Sequence, residues 1–258
     1  AIARWARVSY GWIGRSPDYK AAFLATLGAN DKYYAPYDEN ARRWYTRVQE
    51  EVSFVNHAIV NPPVDRDKPL DEVKDVYMHV VKERDDGLVV SGAKVVATTS
   101  SLTHYNFIAN NGALPIKTKE FAFVCIVPTD APGVKLFCRP SYELTAAAAG
   151  SPFDYPLSSR FDETDAYVVF DKVFVPWEHV FIYRNIEISR DQWWKTPSHL
   201  YGNLQAQARY TTKLRFMLGL AQRMNEMTGN IAQPPVQIMM GELASIASIY
   251  ENMLLAHE

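Results

Sequence analysis

Cysteine is nearly missing from this chain: Cys125 and Cys138 are the only two in 258 residues. Two cysteines cannot supply a disulfide framework, a Cys-rich zinc site or an iron–sulfur cluster. Their scarcity fits a reducing compartment, and a cytoplasmic location is expected. Long apolar runs are missing too. None approaches the roughly 18 residues that a membrane span requires, and no signal-peptide pattern is present, so no membrane association is expected. Charge of one sign is also missing, since 27 Lys and Arg stand against 29 Asp and Glu for a net charge of −2. A nucleic-acid binder needs a clustered positive surplus, and none is seen. Glycine is sparse, with 12 residues. Neither a GxGxxG phosphate loop nor a GxSxG nucleophile elbow occurs. The histidines, His57, His79, His104, His179, His199 and His257, form no HxxxH or Cys/His cluster, so no metal site is expected.

Hydrophobic residues make up 48% of the chain, enough for a sizeable core. The length suggests one or two domains. The first residue is not Met, and the chain opens and closes inside helical patterns, so a piece of a longer polypeptide is expected. In the first third, Ser16-Pro17-Asp18 is a helix-start signal, with a capping Ser, Pro at the first helical position and an acid at the positive end. That helix is expected to stop at Gly28. A second helix is expected from about Asn40 to Asn56, with Trp44, Val48, Val52 and Val55 at helical spacing. The middle third is β-rich. Val76–Glu83 and Leu88–Thr99 flank an Asp85-Asp86-Gly87 turn, and further runs follow at 105–109, 121–127, 134–139 and 167–175. These predict a small antiparallel sandwich or barrel. The last third returns to helix. One stripe runs from Tyr210 to Met224 and another from Val236 to Leu254, which implies an antiparallel pair. The expected segments are 1–55 helical, 56–185 β and 186–258 the start of a helical bundle.

Arg15 stands just before a helix start, where a cation opposes the helix dipole at a cost of up to about 1 kcal/mol. It is either a surface arginine paired with Asp18 or an anion ligand at the positive end of the helix. Tyr19 lies four residues on and can share the same side. His57 sits in an apolar stretch at the junction of helix and sheet, where ligand clefts form; its plainer reading is a satisfied core histidine. The loop Asn61-Pro-Pro-Val-Asp-Arg-Asp-Lys68 is rigid and polar, and Arg66 is suited to a planar polar ligand.

Four stretches carry a resemblance across nearly the whole chain. They are Gly14-Arg-Ser-Pro-Asp-Tyr19; His57-Ala-Ile-Val-Asn-Pro-Pro-Val-Asp-Arg-Asp-Lys-Pro69; Ser91-Gly-Ala-Lys-Val-Val-Ala-Thr98 with Leu102-Thr-His-Tyr-Asn-Phe107; and Leu157-Ser-Ser-Arg-Phe-Asp-Glu-Thr-Asp165 running into Val173-Phe-Val-Pro-Trp-Glu178. In this order and spacing they resemble the oxygenase component of two-component 4-hydroxyphenylacetate 3-monooxygenases and related phenol and chlorophenol monooxygenases. The resemblance implies an α+β, acyl-CoA-dehydrogenase-like fold: a helical segment, a central antiparallel β-barrel and the start of a helical bundle, in a homotetramer. It implies FAD taken up as FADH2 (FMNH2 being the alternative), O2, a phenolic substrate and a separate NAD(P)H:flavin reductase. Ortho-hydroxylation would then run through a C4a-hydroperoxide of the flavin.

By position, Arg15, Tyr19 and His57 resemble the trio that holds the phenol oxygen, with His57 as a candidate general base near neutral pH. His57, Ala58 and Ile59, with Pro63, Val64, Asp65 and Arg66, resemble the flavin-contacting segments, and Thr98 or Ser100 the flavin-contacting hydroxyl. Gly112 and Ala113 lie in the loop that resembles the one closing over substrate. Many members have Asn-Pro-Gln where this chain has Asn61-Pro62-Pro63, so an amide donor is lost. The further His of some chlorophenol-type members has no counterpart around Asn203-Leu204-Gln205, and dehalogenation is not expected. The rival readings are an acyl-CoA dehydrogenase, a 4-hydroxybutyryl-CoA dehydratase (which needs two cysteines where Arg15 and Tyr19 stand) and a non-catalytic aromatic-rich binding module.

Overall fold

The computed structural model describes residues 2–64, 67–68, 72–110 and 117–256. They fall into two compact units: Arg15–Tyr201, and a smaller one formed by the described parts of Ala1–Gly14 and Gly202–Glu258.

The larger unit starts with helix α2 (Pro17–Ala29), which has Pro at its first turn as the sequence predicts. Helix α3 (Asp38–Glu50) follows. It ends before the expected Asn56 because Val52 adopts a left-handed backbone and Val55 is taken into a strand. Strand β1 (Val55–Ala58) enters from this helix rather than from a hairpin, and it pairs in parallel with β4 (Tyr105–Ile108). With β5 (Phe123–Pro128) and β8 (Val180–Tyr183) these make a sheet of order β1-β4-β5-β8. A second sheet has the order β2-β3-β7-β6, from β2 (His79–Arg84), β3 (Gly87–Lys94), β6 (Val134–Cys138) and β7 (Ala166–Pro176). Of the expected sandwich or barrel, the strands form the sandwich, and the closed, all-antiparallel barrel is corrected. Among the described residues the strands form two open four-stranded sheets, and one strand pair is parallel. Helices α4 (Tyr142–Ala149) and α5 (Ile186–Lys195) complete this unit.

Two apolar layers hold it together. Ala58, Leu88, Val90, Ile108, Cys125, Val168 and Phe170 pack between the sheets. Leu24, Leu27, Trp44, Val48, Phe107, Ile126 and Phe181 join α2 and α3 to the outer face of the first sheet. Burial of this kind is worth roughly 25 cal/mol per Å² of apolar surface. It fixes α2 against β1, which is what places the site described below.

Gly92 sits at the register shift between β3 and β7 with φ +122°, and a Cβ there would stand 2.3 Å from the Tyr77 carbonyl oxygen. Gly92→Ala is therefore expected to cost about 1–3 kcal/mol through backbone strain. The unfolding midpoint of the full-length protein checks this, and an unchanged midpoint contradicts it.

In the smaller unit, α1 (Ile2–Val8) accompanies the bulk of α6 (Ser198–Met227) and α7 (Pro234–Leu255). The rings of Tyr210 and Tyr250 lie 5.3 Å apart, tilted by 33°, and Arg215 pairs with Glu251. A short connection joins the other ends, so α6 and α7 form the antiparallel pair that the stripes predict. No helix among the described residues is long and apolar enough to cross a membrane.

Candidate active site

Helix α2 buries Tyr19, Lys20, Phe23, Leu24, Thr26 and Leu27, and β1 lies against it. The ring of Tyr19 meets the His57 ring edge-on at 5.4 Å, and Phe23 stacks on His57 at 5.4 Å and 20°. The Arg15 guanidinium lies 4.2 Å from the centre of the Tyr19 ring, a cation–π distance. Its backbone is pinned on both sides: the Arg15 N–H donates to Glu163 Oε1 at 2.6 Å, and Thr99 Oγ1 donates to the Arg15 carbonyl at 3.3 Å. Arg15, Tyr19 and His57 thus share one environment.

Lys20 lies at the centre of that environment and is 2% exposed. Its Nζ stands 3.0 Å from Asn56 Oδ1, 2.6 Å from His57 Nδ1 and 3.0 Å from the Thr98 carbonyl oxygen. Burial, reinforced by the Arg15 charge, lowers the Lys20 pKa to about 7 against the opposing pull of Glu163 and Asp165. Burial, with the charges of Lys20 and Arg15, holds His57 well below the ordinary imidazole value. His57 is therefore neutral at physiological pH. This revises the sequence expectation of a histidine titrating by itself near pH 7: desolvation, with the charges of Lys20 and Arg15, disfavours a free-standing imidazolium.

Thr98 joins the cluster from the other side of the sequence, and its hydroxyl donates to Asp165 Oδ1 at 2.6 Å. Ser100 is fully buried, and its Oγ has no hydrogen-bond partner among the described residues. The Ala58 side chain packs in the inter-sheet core. Ile59 is half-buried and borders a cavity. Pro63 is exposed, and Val64 packs against the Tyr77 and Phe121 group instead. Asp65, Arg66, Gly112 and Ala113 lie outside the described residues.

The cavity has a volume of about 280 Å³ and is bordered by Phe23, Ile59, Phe107, Asn110, Trp193 and Trp194 among others. None of its lining residues is ionisable. An apolar cavity of about 150 Å³ already takes a benzene ring, so this one has room for a substituted aromatic ring. Phe23 belongs both to this wall and to the His57 stack.

A second buried lysine organises the cavity floor. Lys94 is fully buried, and its Nζ lies 2.8 Å from Asn61 Oδ1 and the Ala109 carbonyl oxygen, 3.0 Å from Asn110 Oδ1 and 3.4 Å from the Ile59 carbonyl oxygen. Burial lowers its pKa to about 7.

Sequence reasoning missed both lysines, although the signals were present. Lys20 falls on the same helical face as Phe23, Leu24 and Leu27. Lys94 falls on the inward phase of β3, in step with Leu88 and Val90. The exposed tryptophans, Trp5 and Trp194, sit on helices rather than on one strand face, so the aromatic binding-module reading gains no support.

Comparison with known proteins follows the same line. Residues 1–182 match the family described as 4-hydroxyphenylacetate 3-hydroxylase N terminal, and residues 189–258 match its C-terminal counterpart. The chain is 52% identical over 257 residues to the oxygenase component of a 4-hydroxyphenylacetate 3-monooxygenase from Pseudomonas aeruginosa, covering 98% of this chain and 49% of that protein. It is 54% identical over 243 residues to the oxygenase component of a 4-nitrophenol 2-monooxygenase from a Rhodococcus species, covering 94% of this chain and 46% of the other. The chain thus spans about half the length of the curated relatives it matches. A crystal structure of a 4-hydroxyphenylacetate 3-monooxygenase oxygenase component complexed with FAD and 4-hydroxyphenylacetate superposes with a TM-score of 0.90 at 33% identity, covering 99% of this chain and 53% of that one. An archaeal 4-hydroxybutyryl-CoA dehydratase (19% identity, TM-score 0.77, 96% of this chain and 50% of that one) shares the fold alone. So does a steroid acyl-CoA dehydrogenase (13%, 0.55, 98% and 71%).

Proposed function

Because the chain belongs to the 4-hydroxyphenylacetate 3-hydroxylase family, we propose that it forms the phenol-binding half of a two-component, reduced-flavin-dependent monooxygenase. The reaction is insertion of one oxygen atom ortho to a phenolic hydroxyl. The observation that supports this reading is that Tyr19 contacts both the half-buried Arg15 and the buried His57. A phenol ring attacks an electrophilic oxygen far better as phenolate, so the protein must favour negative charge on the phenol oxygen. Arg15 supplies the compensating charge, Tyr19 supplies a hydrogen bond, and the neutral imidazole of His57 faces the same oxygen. The apolar cavity beside Phe23 excludes water from the substrate ring.

The residues present fit a flavin. The orphaned, buried Ser100 hydroxyl retains hydrogen-bonding capacity for a ligand, while the Thr98 proton is committed to Asp165, so Thr98 offers only a lone pair. Ile59, Thr98 and Ser100 are the proposed flavin-facing residues, and Pro63, Asp65 and Arg66 join them by resemblance alone. Together with O2, the reduced flavin supplies the electrophilic oxygen. In balance, a ring C–H becomes C–OH, the second oxygen leaves as water, and the reduced flavin is oxidised. A separate reductase using NAD(P)H, a homotetrameric assembly and a cytoplasmic location belong to the same proposal.

The test is product analysis with the full-length protein, chemically reduced FAD, O2 and a panel of para-substituted phenols. Catechol formation is expected. Oxidation of the flavin with no ring-hydroxylated product from any phenol, or bleaching of oxidised flavin by an acyl-CoA, overturns the reading.

A further inference from the structure

We propose that Lys20 and His57 work as one proton-accepting couple, in which His57 contacts the phenol and Lys20 is the positioning residue on which the proton ends. The proposal rests on the phenol-hydroxylase reading above and adds to it the identity of the base.

The argument begins with the 2.6 Å contact between Lys20 Nζ and His57 Nδ1. An ammonium has three donors and no acceptor, and an imidazolium has no lone pair on either nitrogen. Two cations at that distance are mutually exclusive, so the couple carries at most one of the two protons. Two arrangements satisfy the contact. In one, His57 Nδ1–H donates to a neutral Lys20 amine. In the other, the Lys20 ammonium donates to Nδ1, and Nε2 carries the ring proton. These differ by a shift of the ring proton and the gain of one proton, which is what a phenol delivers. The phenol O–H bond breaks and its proton goes to His57 Nε2; the Nδ1–H proton passes to Lys20 Nζ. The products are a phenolate, a neutral imidazole whose Nε2–H now donates to that phenolate, and an ammonium.

The surroundings suit both states. In the ammonium form the three donors of Lys20 meet three acceptors: Asn56 Oδ1, the Thr98 carbonyl and His57 Nδ1. Asn56 is held in turn by its own donation to Asn106 Oδ1 at 2.9 Å. Arg15 at the start of α2 repels the added proton. Glu163 and Asp165, in the segment before β7, attract it. These opposed charges leave Lys20 poised near neutrality, the range in which a base exchanges protons efficiently. Phe23 stacked on the ring and the cover of α2 keep water from short-circuiting the transfer.

The test uses the full-length protein and 4-nitrophenol, whose phenolate is visible by absorbance. In the wild type, the bound probe is expected to be phenolate at a pH where the free probe is still neutral. In Lys20→Met, the apparent ionisation of the bound probe is expected to shift upward by at least tenfold in proton activity, with affinity at high pH changed far less. Lys20→Gln keeps a polar, hydrogen-bonding side chain but can neither gain a proton nor carry a charge, so it is expected to behave like Lys20→Met. It also carries the test if Lys20→Met folds poorly. An ionisation profile that matches the wild type in either variant overturns the proposal. So does a bound probe that stays neutral in the wild type. Failure of the wild type to bind any phenol overturns the broader reading as well, which separates the two.

Discussion

Arg15→Ala is expected to cut phenol hydroxylation by roughly ten- to a hundredfold while reduced flavin is still oxidised, so that hydrogen peroxide replaces product. A charge-assisted hydrogen bond is worth about 1.5–3 kcal/mol, and each 1.36 kcal/mol is about tenfold in rate. The effect is specific to the side chain. The backbone of residue 15 is held by Glu163 and Thr99, so truncation leaves the start of α2 anchored. A second consequence has a definite sign. The Arg15 charge disfavours protonation of Lys20 and of His57, so its removal moves the pH profile of hydroxylation upward. Arg15→Lys restores charge without the planar fork and is expected to recover part of the rate. The measurement is product and peroxide formed per flavin oxidised, across pH. Unchanged coupling in Arg15→Ala, together with unchanged coupling in His57→Ala, shows that the phenol oxygen is held elsewhere.

Lys94→Met is expected to lower stability at neutral pH by about 2–4 kcal/mol, because buried acceptors left without a donor cost about 1–3 kcal/mol each. The offset is relief from desolvating a charge. Methionine nearly preserves volume, so a cavity term is small. The oxygens stranded belong to Ile59, Asn61, Ala109 and Asn110. The change therefore loosens the ends of β1 and β4 and with them the cavity wall.

The pH dependence separates this from generic damage. The Lys94 pKa is lowered to about 7 in the folded protein from the ordinary 10.5. Between those values the unfolded chain binds more protons than the folded one, so wild-type stability gains from rising pH across that window. From pH 7 to 9 the contribution of Lys94 is about 2 kcal/mol. The variant lacks it, so the gap between wild type and Lys94→Met widens with pH. Unfolding midpoints at the two pH values check this, and a constant gap contradicts it.

The elements were largely legible from period alone. The Ser16-Pro17 start, the hairpin through Asp85 and Asp86, and the long helical stripes after Tyr210 all lie where hydrophobic spacing puts them. The second helix ran too far in prediction because Val55 fits a helical stripe as well as it fits a strand. Only its partner Tyr105, fifty residues on, decides the matter. Sandwich and barrel were not told apart for a related reason, since strand number and alternation do not say which edges meet. For the site, Arg15, Tyr19 and His57 were legible by resemblance. The two lysines were given no role, although each falls in phase with apolar neighbours.

Local pattern by itself determined which residues turn inward on α2 and β3, because side-chain direction follows helical and strand periods alone. It also set the chemistry available, with a cation and a phenol at one helix start and an imidazole at a strand. What only the tertiary structure decided is the electrostatic state of those groups. Lys20 meets His57 and Thr98 across 37 and 78 residues of sequence. A proton's affinity for a side chain depends on the water removed and the charges brought near it, and both are fixed by which distant segments pack around the group.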